Sequence, residues 1–237
     1  MAGPGHVQPA AHQVAVGVER HRASPTPRAR RGDSRVPGAS YLPRMSFSAL
    51  HTWNTSAADA LSQLEVAHSA VGGTAAGRRT NTLQLNYAFV LLLSAHFQAF
   101  CRDLHTQMTR ALSATLAPAI GDVLRVNLTF SRQLDVRNAQ PGSLGADFNR
   151  FGLAFWPAVE GADRRNRQRR EKLNQLNEWR NAIAHHDIAS RGANLTPREV
   201  TLDACKDWRS ALNGLASSCD RVLTAHLKTL TGPTTPP

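Results

Sequence analysis

One stretch limits the fold of this chain more than any other: "LQLNYAFVLLLSAHFQAFCRDLHTQMTRAL", Leu83 to Leu112. Val90, Ser94, Phe97, Cys101, Leu104 and Met108 recur at steps of three and four, the spacing of one helix face. Phe89, Leu93 and Phe100 mark a second stripe beside it. A helix that is apolar around so much of its circumference cannot lie on a surface, so other elements must enclose it. The longest apolar run, Tyr87 to Ala95, is too short to cross a bilayer. The enclosing elements are therefore protein.

The flanking sequence reads as further helices. Leu50, Trp53, Ala57, Ala60, Leu61, Leu64 and Ala67 form an amphipathic pattern that Gly72 and Gly73 end. Pro118 and Gly121 interrupt the next stretch, and Asp122–Phe130 alternates weakly, compatible with a short strand or a helix. A loop and a short helix from about Asp147 follow, with breaks at Pro157 and Gly161. A long polar helix is expected from about Asp163 to Ala189. "TPREV" predicts a last helix capped by Thr196, with Pro at its first position, running to about Leu230. The expected fold class is all-α, an antiparallel bundle of about four to five helices.

Residues 1–44 differ. "HRASPTPRARRGDSRVPGAS" has almost no large apolar residues, and the whole segment holds seven arginines against Glu19 and Asp33. Such a chain buries too little surface to offset its ordering entropy. It reads as a disordered basic tail ahead of a helical domain over 45–237. Because Met45 opens a helix-like stretch directly afterwards, the tail also reads as an extension from a mis-assigned start. The formal net charge of +11 favours polyanionic partners without choosing a fold.

Cys101, Cys205 and Cys219 are odd in number and widely spaced, which argues against a disulfide framework or a zinc site. They are expected to be buried, reduced thiols. The N-terminus lacks the apolar core of a signal peptide. The expected location is the cytoplasm, with no membrane partner. No phosphate loop, GxGxxG, CxxC, HExxH or GxSxG occurs. No cofactor and no metal site are expected.

Chemistry concentrates in "EWRNAIAHHDIA", Glu178 to Ala189. On a helix Asn181 and His185 share a face, whereas Arg180 and His185 point about 140° apart. A long arginine and a distorted helix end can still bring them to one anion. Trp179, Ile183, Ala184 and Ile188 are expected to pack this stretch against a core. A solvated polar face is the plain alternative. Upstream, "DRRNRQRREK" carries Arg164, Arg165, Arg167, Arg169 and Arg170, read as an RNA phosphate-tracking surface or, equally simply, as a solvated basic face.

"WRNAIAHH", with the long helix "LNYAFVLLLSAHFQAFCRDL" before it, resembles the HEPN superfamily. Its members are small all-α domains, many of them ribonucleases of toxin–antitoxin, abortive-infection and CRISPR systems. Their signature is an arginine, four to six residues and a histidine, with a polar residue, often asparagine, directly after the arginine. Here that is Arg180, Asn181 and His185, and the resemblance covers roughly residues 46–230. Many relatives carry an acid in the long helix where this chain has Gln98.

The resemblance implies metal-independent RNA cleavage by attack of a ribose 2′-hydroxyl on the adjacent phosphorus. An imidazole suits the proton shuttle, assigned to His185. A forked, permanently charged guanidinium suits the phosphoryl oxygens, assigned to Arg180. Asn181 would hold the phosphate or orient His185. Relatives usually pair with two motifs facing each other, so the resemblance implies a homodimer with a composite site and raises a cognate antitoxin as a partner. Two rivals stand beside it. One is a HEPN-like module that binds RNA or a nucleotide, or docks a partner, without cutting. The other is an HD-type metal phosphohydrolase using His186–Asp187, His96 or His105, and Asp203, Asp207 or Asp220.

Overall fold

The computed structural model describes residues 47–72, 80–191 and 194–232, and the basic tail expected over 1–44 lies outside them. Among the described residues every regular element is helical, so the fold is all-α. The helices are α1 (Ser48–Thr52), α2 (Ala58–Gly72), α3 (Thr80–Ser113), α4 (Pro118–Thr129), α5 (Gln133–Val136), α6 (Pro141–Phe148), α7 (Phe155–Ala162), α8 (Asn166–Ala184), α9 (Ile188–Arg191) and α10 (Leu202–Thr231). One wide π turn, Trp53–Ala57, joins α1 to α2.

α3 is the centre of the bundle. Both of its expected stripes are buried, with Val90, Leu93, Leu104 and Met108 fully enclosed. Truncating such a leucine typically costs about 2–5 kcal/mol, so packing rather than local propensity holds this helix. Side-chain pairs give the directions of its neighbours. Gln107, late in α3, donates to Ser48, while Trp53 packs on Phe97 and Phe100. The α1–α2 arm therefore runs antiparallel to α3. Trp53 donates to Asn213 and Arg209 to Glu65, which makes α10 antiparallel to that arm as well. α8 opposes α10: Ser218 donates to Asn166 at one end and Lys172 pairs with Asp207 further along. The four long elements form an antiparallel bundle.

Several boundaries differ from the sequence reading, each for a local reason. Asp122–Phe130 falls mostly in α4. Gly121 lies inside that helix, not at a break, and the glycine there serves close approach to the end of α3, since a Cβ would sit 2.6 Å from the Ser113 carbonyl oxygen. α6 starts at Pro141, well before Asp147, with proline in the first turn, where no donor is needed. Pro157 and Gly161 lie within α7, the proline again in the first turn. The last helix starts at Leu202, with Thr201 rather than Thr196 capping it by accepting from the Ala204 N–H at 3.1 Å. Carbonyls upstream are taken by tertiary donors instead: Trp179 Nε1 reaches Pro197 O and Asn86 Nδ2 reaches Val200 O, both at 2.9 Å.

Arg132, just before α5, ties the α4–α7 region to α3 by donating to Arg102 O at 3.3 Å and to Thr106 Oγ1 at 2.9 Å. Buried Asp147 accepts from the backbone N–H groups of Gln133 and Leu134, both at 2.8 Å, and so caps α5 from a distance. All three cysteines are buried and unpaired, and burial pushes the Cys205 and Cys219 thiols up to about 12, which suppresses thiolate chemistry. Among the described residues, no helix is long and apolar enough to cross a membrane.

Candidate functional site

The candidate motif straddles a helix end that the sequence did not place. α8 stops at Ala184, not Ala189. His186 adopts φ 54°, its N–H reaches Ile183 O at 3.2 Å, and the Asp187 N–H reaches Ala182 O at 2.8 Å. These two bonds are those of a Schellman cap, in which the left-handed position usually belongs to glycine. Arg180 and Asn181 therefore sit in the last regular turn. His185 is the capping residue, at φ −100°, ψ 7°, so its direction no longer follows the helical 100° step.

The side chains divide accordingly. Trp179, Ala182 and Ile183 are buried and anchor the turn, while Ala184, expected in the core, is exposed. Arg180 and Asn181 are half-buried, and Arg180 Nη1 donates to Asn181 Oδ1 at 3.1 Å. The same oxygen accepts from Asn138 Nδ2 at 2.8 Å. His185 is exposed, and among the described residues its ring has no hydrogen-bond partner. The structure thus brings Arg180 and Asn181 together, adds Asn138, and leaves the His185 imidazole in solvent at the same helix end.

Asn138 was not visible as a site residue, because it lies in an irregular segment far from the motif in sequence. Its segment is held from two helices. Gln98 of α3 donates one amide N–H to Leu134 O at 3.1 Å and the other to Arg137 O at 2.9 Å. Asn177 of α8 donates to Ala139 O at 3.2 Å. This explains an amide at position 98: a carboxylate would set oxygen against two carbonyl oxygens and could donate to neither. Gln98→Glu is expected to lower the unfolding free energy by about 2 kcal/mol, two bonds at roughly 1 kcal/mol each. Urea denaturation at neutral pH measures it, and an unchanged midpoint would remove this explanation.

The basic run is only partly free. Arg165 and Arg169 both bind Asp163 at 2.9 Å, holding its carboxyl well below the usual range, chiefly through Arg165. Arg169 also donates to Asn166 and lies against Gly214 of α10, where a side chain would collide with the guanidinium. Arg170 pairs with Glu160 and covers the Trp156 ring at 4.7 Å. Arg164 and Arg167 are exposed. Arg167 and Arg180 are thirteen residues apart on α8, about 20 Å along its axis. At 100° per residue they also point about 140° apart, so an RNA strand touching both would have to wrap partway around the helix.

Among the described residues, no three His, Cys, Asp or Glu side chains gather to hold a metal ion. Within the HD-type set, His105 is fully buried and Asp207 is paired with Lys172. No family model, no curated protein and no solved structure matches this chain. The functional reading therefore rests on the motif and its geometry.

Proposed function

We propose that the chain is a metal-independent endoribonuclease of HEPN type, acting as a toxin or phage-defence effector. One observation supports this above the others: Arg180 is tethered through Asn181 at the end of α8, with the His185 imidazole exposed on the capping residue of the same helix. The guanidinium has donors left over after its bond to Asn181. A phosphate oxygen can accept from them, and the imidazole can take the 2′-hydroxyl proton. The 2′-oxygen then bonds to phosphorus and the P–O5′ bond breaks. The products are a 2′,3′-cyclic phosphate and a 5′-hydroxyl, whose proton comes from an acid. In this reading the acid is supplied by a second copy of the motif in a homodimer. Exposed Arg164 and Arg167, with Arg165, would add a salt-sensitive attraction for the RNA backbone. A cognate antitoxin would cover the same donors.

The second reading is a HEPN-like module that binds RNA without cutting it. Gln98 favours it, because the amide is consumed by two backbone carbonyls and no carboxylate stands in its place. End-labelled RNA incubated with the protein in excess EDTA separates the readings. The nuclease yields fragments with cyclic-phosphate ends and spares an all-2′-deoxy strand of the same sequence. RNA that is bound but stays whole supports the binding module. Cleavage abolished by EDTA returns the HD-type mechanism.

A further inference from the structure

We infer that Asn138 is a positioning residue for the Arg180 guanidinium, acting through Asn181; this deepens the nuclease reading and rests on it. Arginine can only donate, so the Asn181 atom facing Arg180 Nη1 at 3.1 Å must be the amide oxygen. The group on Asn138 that meets this same oxygen at 2.8 Å must then be its NH₂. The orientations of all three side chains follow from one constraint. Asn181 cannot rotate its amide without losing both donors together.

The segment carrying Asn138 is unusually well fixed for an irregular one. The carbonyl before it, Arg137 O, accepts from Gln98, and the carbonyl after it, Ala139 O, accepts from Asn177. Its own carbonyl accepts from the Gln140 N–H at 2.7 Å. Asn138 is therefore held by α3 on one side and α8 on the other, and it passes that order to the last turn of α8. A neutral acceptor suits the task. A carboxylate at Asn181 would neutralise Arg180, whereas an amide oxygen steers the guanidinium and leaves its full charge for an anion. The Asn181 NH₂ is left as an additional donor, so the assembled cluster offers donors and favours a phosphodiester.

The test compares wild type, Asn138→Ala and Asn138→Ser, whose hydroxyl is too short to reach Asn181 Oδ1. Three quantities are measured: single-turnover RNA cleavage at saturating RNA, RNA dissociation constant, and NMR order of the Arg180 Nε–Hε group, assigned with Arg180→Lys. Both variants are expected to cleave roughly 10- to 100-fold more slowly, the scale of a slightly misplaced reacting group. RNA affinity should be nearly unchanged, and the Arg180 signal should become more mobile. A structural role alone would shift the melting temperature but not separate rate from affinity. If the folded variants match wild type in both rate and Arg180 order, the positioning role is wrong. If wild type leaves RNA whole yet Arg180 still loosens in the variants, the positioning role stands and the nuclease reading falls.

Discussion

Arg180→Ala should lower the single-turnover rate of RNA cleavage by at least about 100-fold, the usual loss when one preorganised donor to a developing oxyanion is removed. Its effect on stability should be below about 1 kcal/mol. The side chain is only half-buried, and after its removal Asn181 Oδ1 still accepts from Asn138. Arg180→Lys should recover little, because an ammonium keeps the charge but cannot serve the Asn181 oxygen and a phosphate with the same planar fork. His186→Gly is the matched control. It sits one residue past the candidate base in a left-handed conformation, φ 54°, that glycine adopts without strain. Relief of the left-handed strain, about 1–2 kcal/mol, should outweigh the added unfolded-state freedom of glycine, about 0.4–1 kcal/mol, so the variant should be slightly more stable and cleave like wild type. Cleavage retained by Arg180→Ala, or lost together with the helical circular-dichroism signal, would remove Arg180 from the chemistry.

Acid should destabilise the fold well above the carboxylate range, because of one histidine outside the candidate site. His105 of α3 is fully buried, with its ring 5.4 Å from that of Phe148 and 4.8 Å from that of Phe151. Burial lowers its pKa from 6.5 to about 4. The Arg132 guanidinium, 3.5 Å from its Nδ1, adds to that shift. The Asp147 carbonyl and the Asp135 carboxylate pull the other way and lose. A folded pKa below the unfolded one means that the unfolded chain binds the proton more readily. The stabilising term is complete above pH 6.5, shrinks as pH falls, and is gone below pH 4. A shift of this size corresponds to about 3 kcal/mol. Asp135, held low mainly by its hydrogen bond from Arg132, adds a loss of the same sign at still lower pH, whereas half-buried Asp220 is raised by desolvation and opposes it. His105→Phe isolates the effect, since those carboxyls remain and Arg132 keeps Arg102 O and Thr106 Oγ1 as acceptors. Urea denaturation from pH 7 to pH 4 should show wild type losing about 3 kcal/mol more than the variant. Parallel curves would mean that His105 does not set the acid limit.

The parts of the fold that were legible are those where a period of 3.6 decides burial. The α3 stripe from Val90 to Met108 is entirely buried, and Trp53, Ala57 and Leu61 pack as their spacing requires. What was not legible depends on partners distant in sequence. Thr196-Pro197 has the local marks of a helix start, yet the Pro197 and Val200 carbonyls are taken by Trp179 and Asn86, and the start moves to Leu202. The arginine-rich run reads as one exposed basic stripe, facing RNA or solvent, but Asp163, Glu160 and the gap at Gly214 draw Arg169 and Arg170 into the fold. At the candidate site Arg180 and Asn181 were visible through local spacing. The end of α8 was not, because His186 occupies a conformation that usually signals itself with glycine. Asn138 carried no local mark at all, since its role comes from contacts with α3 and α8.

Wild type and His185→Ala, compared on one labelled RNA in EDTA with bound and cut fractions both recorded, decide whether this helix end is a reaction centre. Equal binding is expected, with fragments from the wild type alone. Equal binding with RNA left whole by both proteins, or cut at the same rate by both, would contradict it.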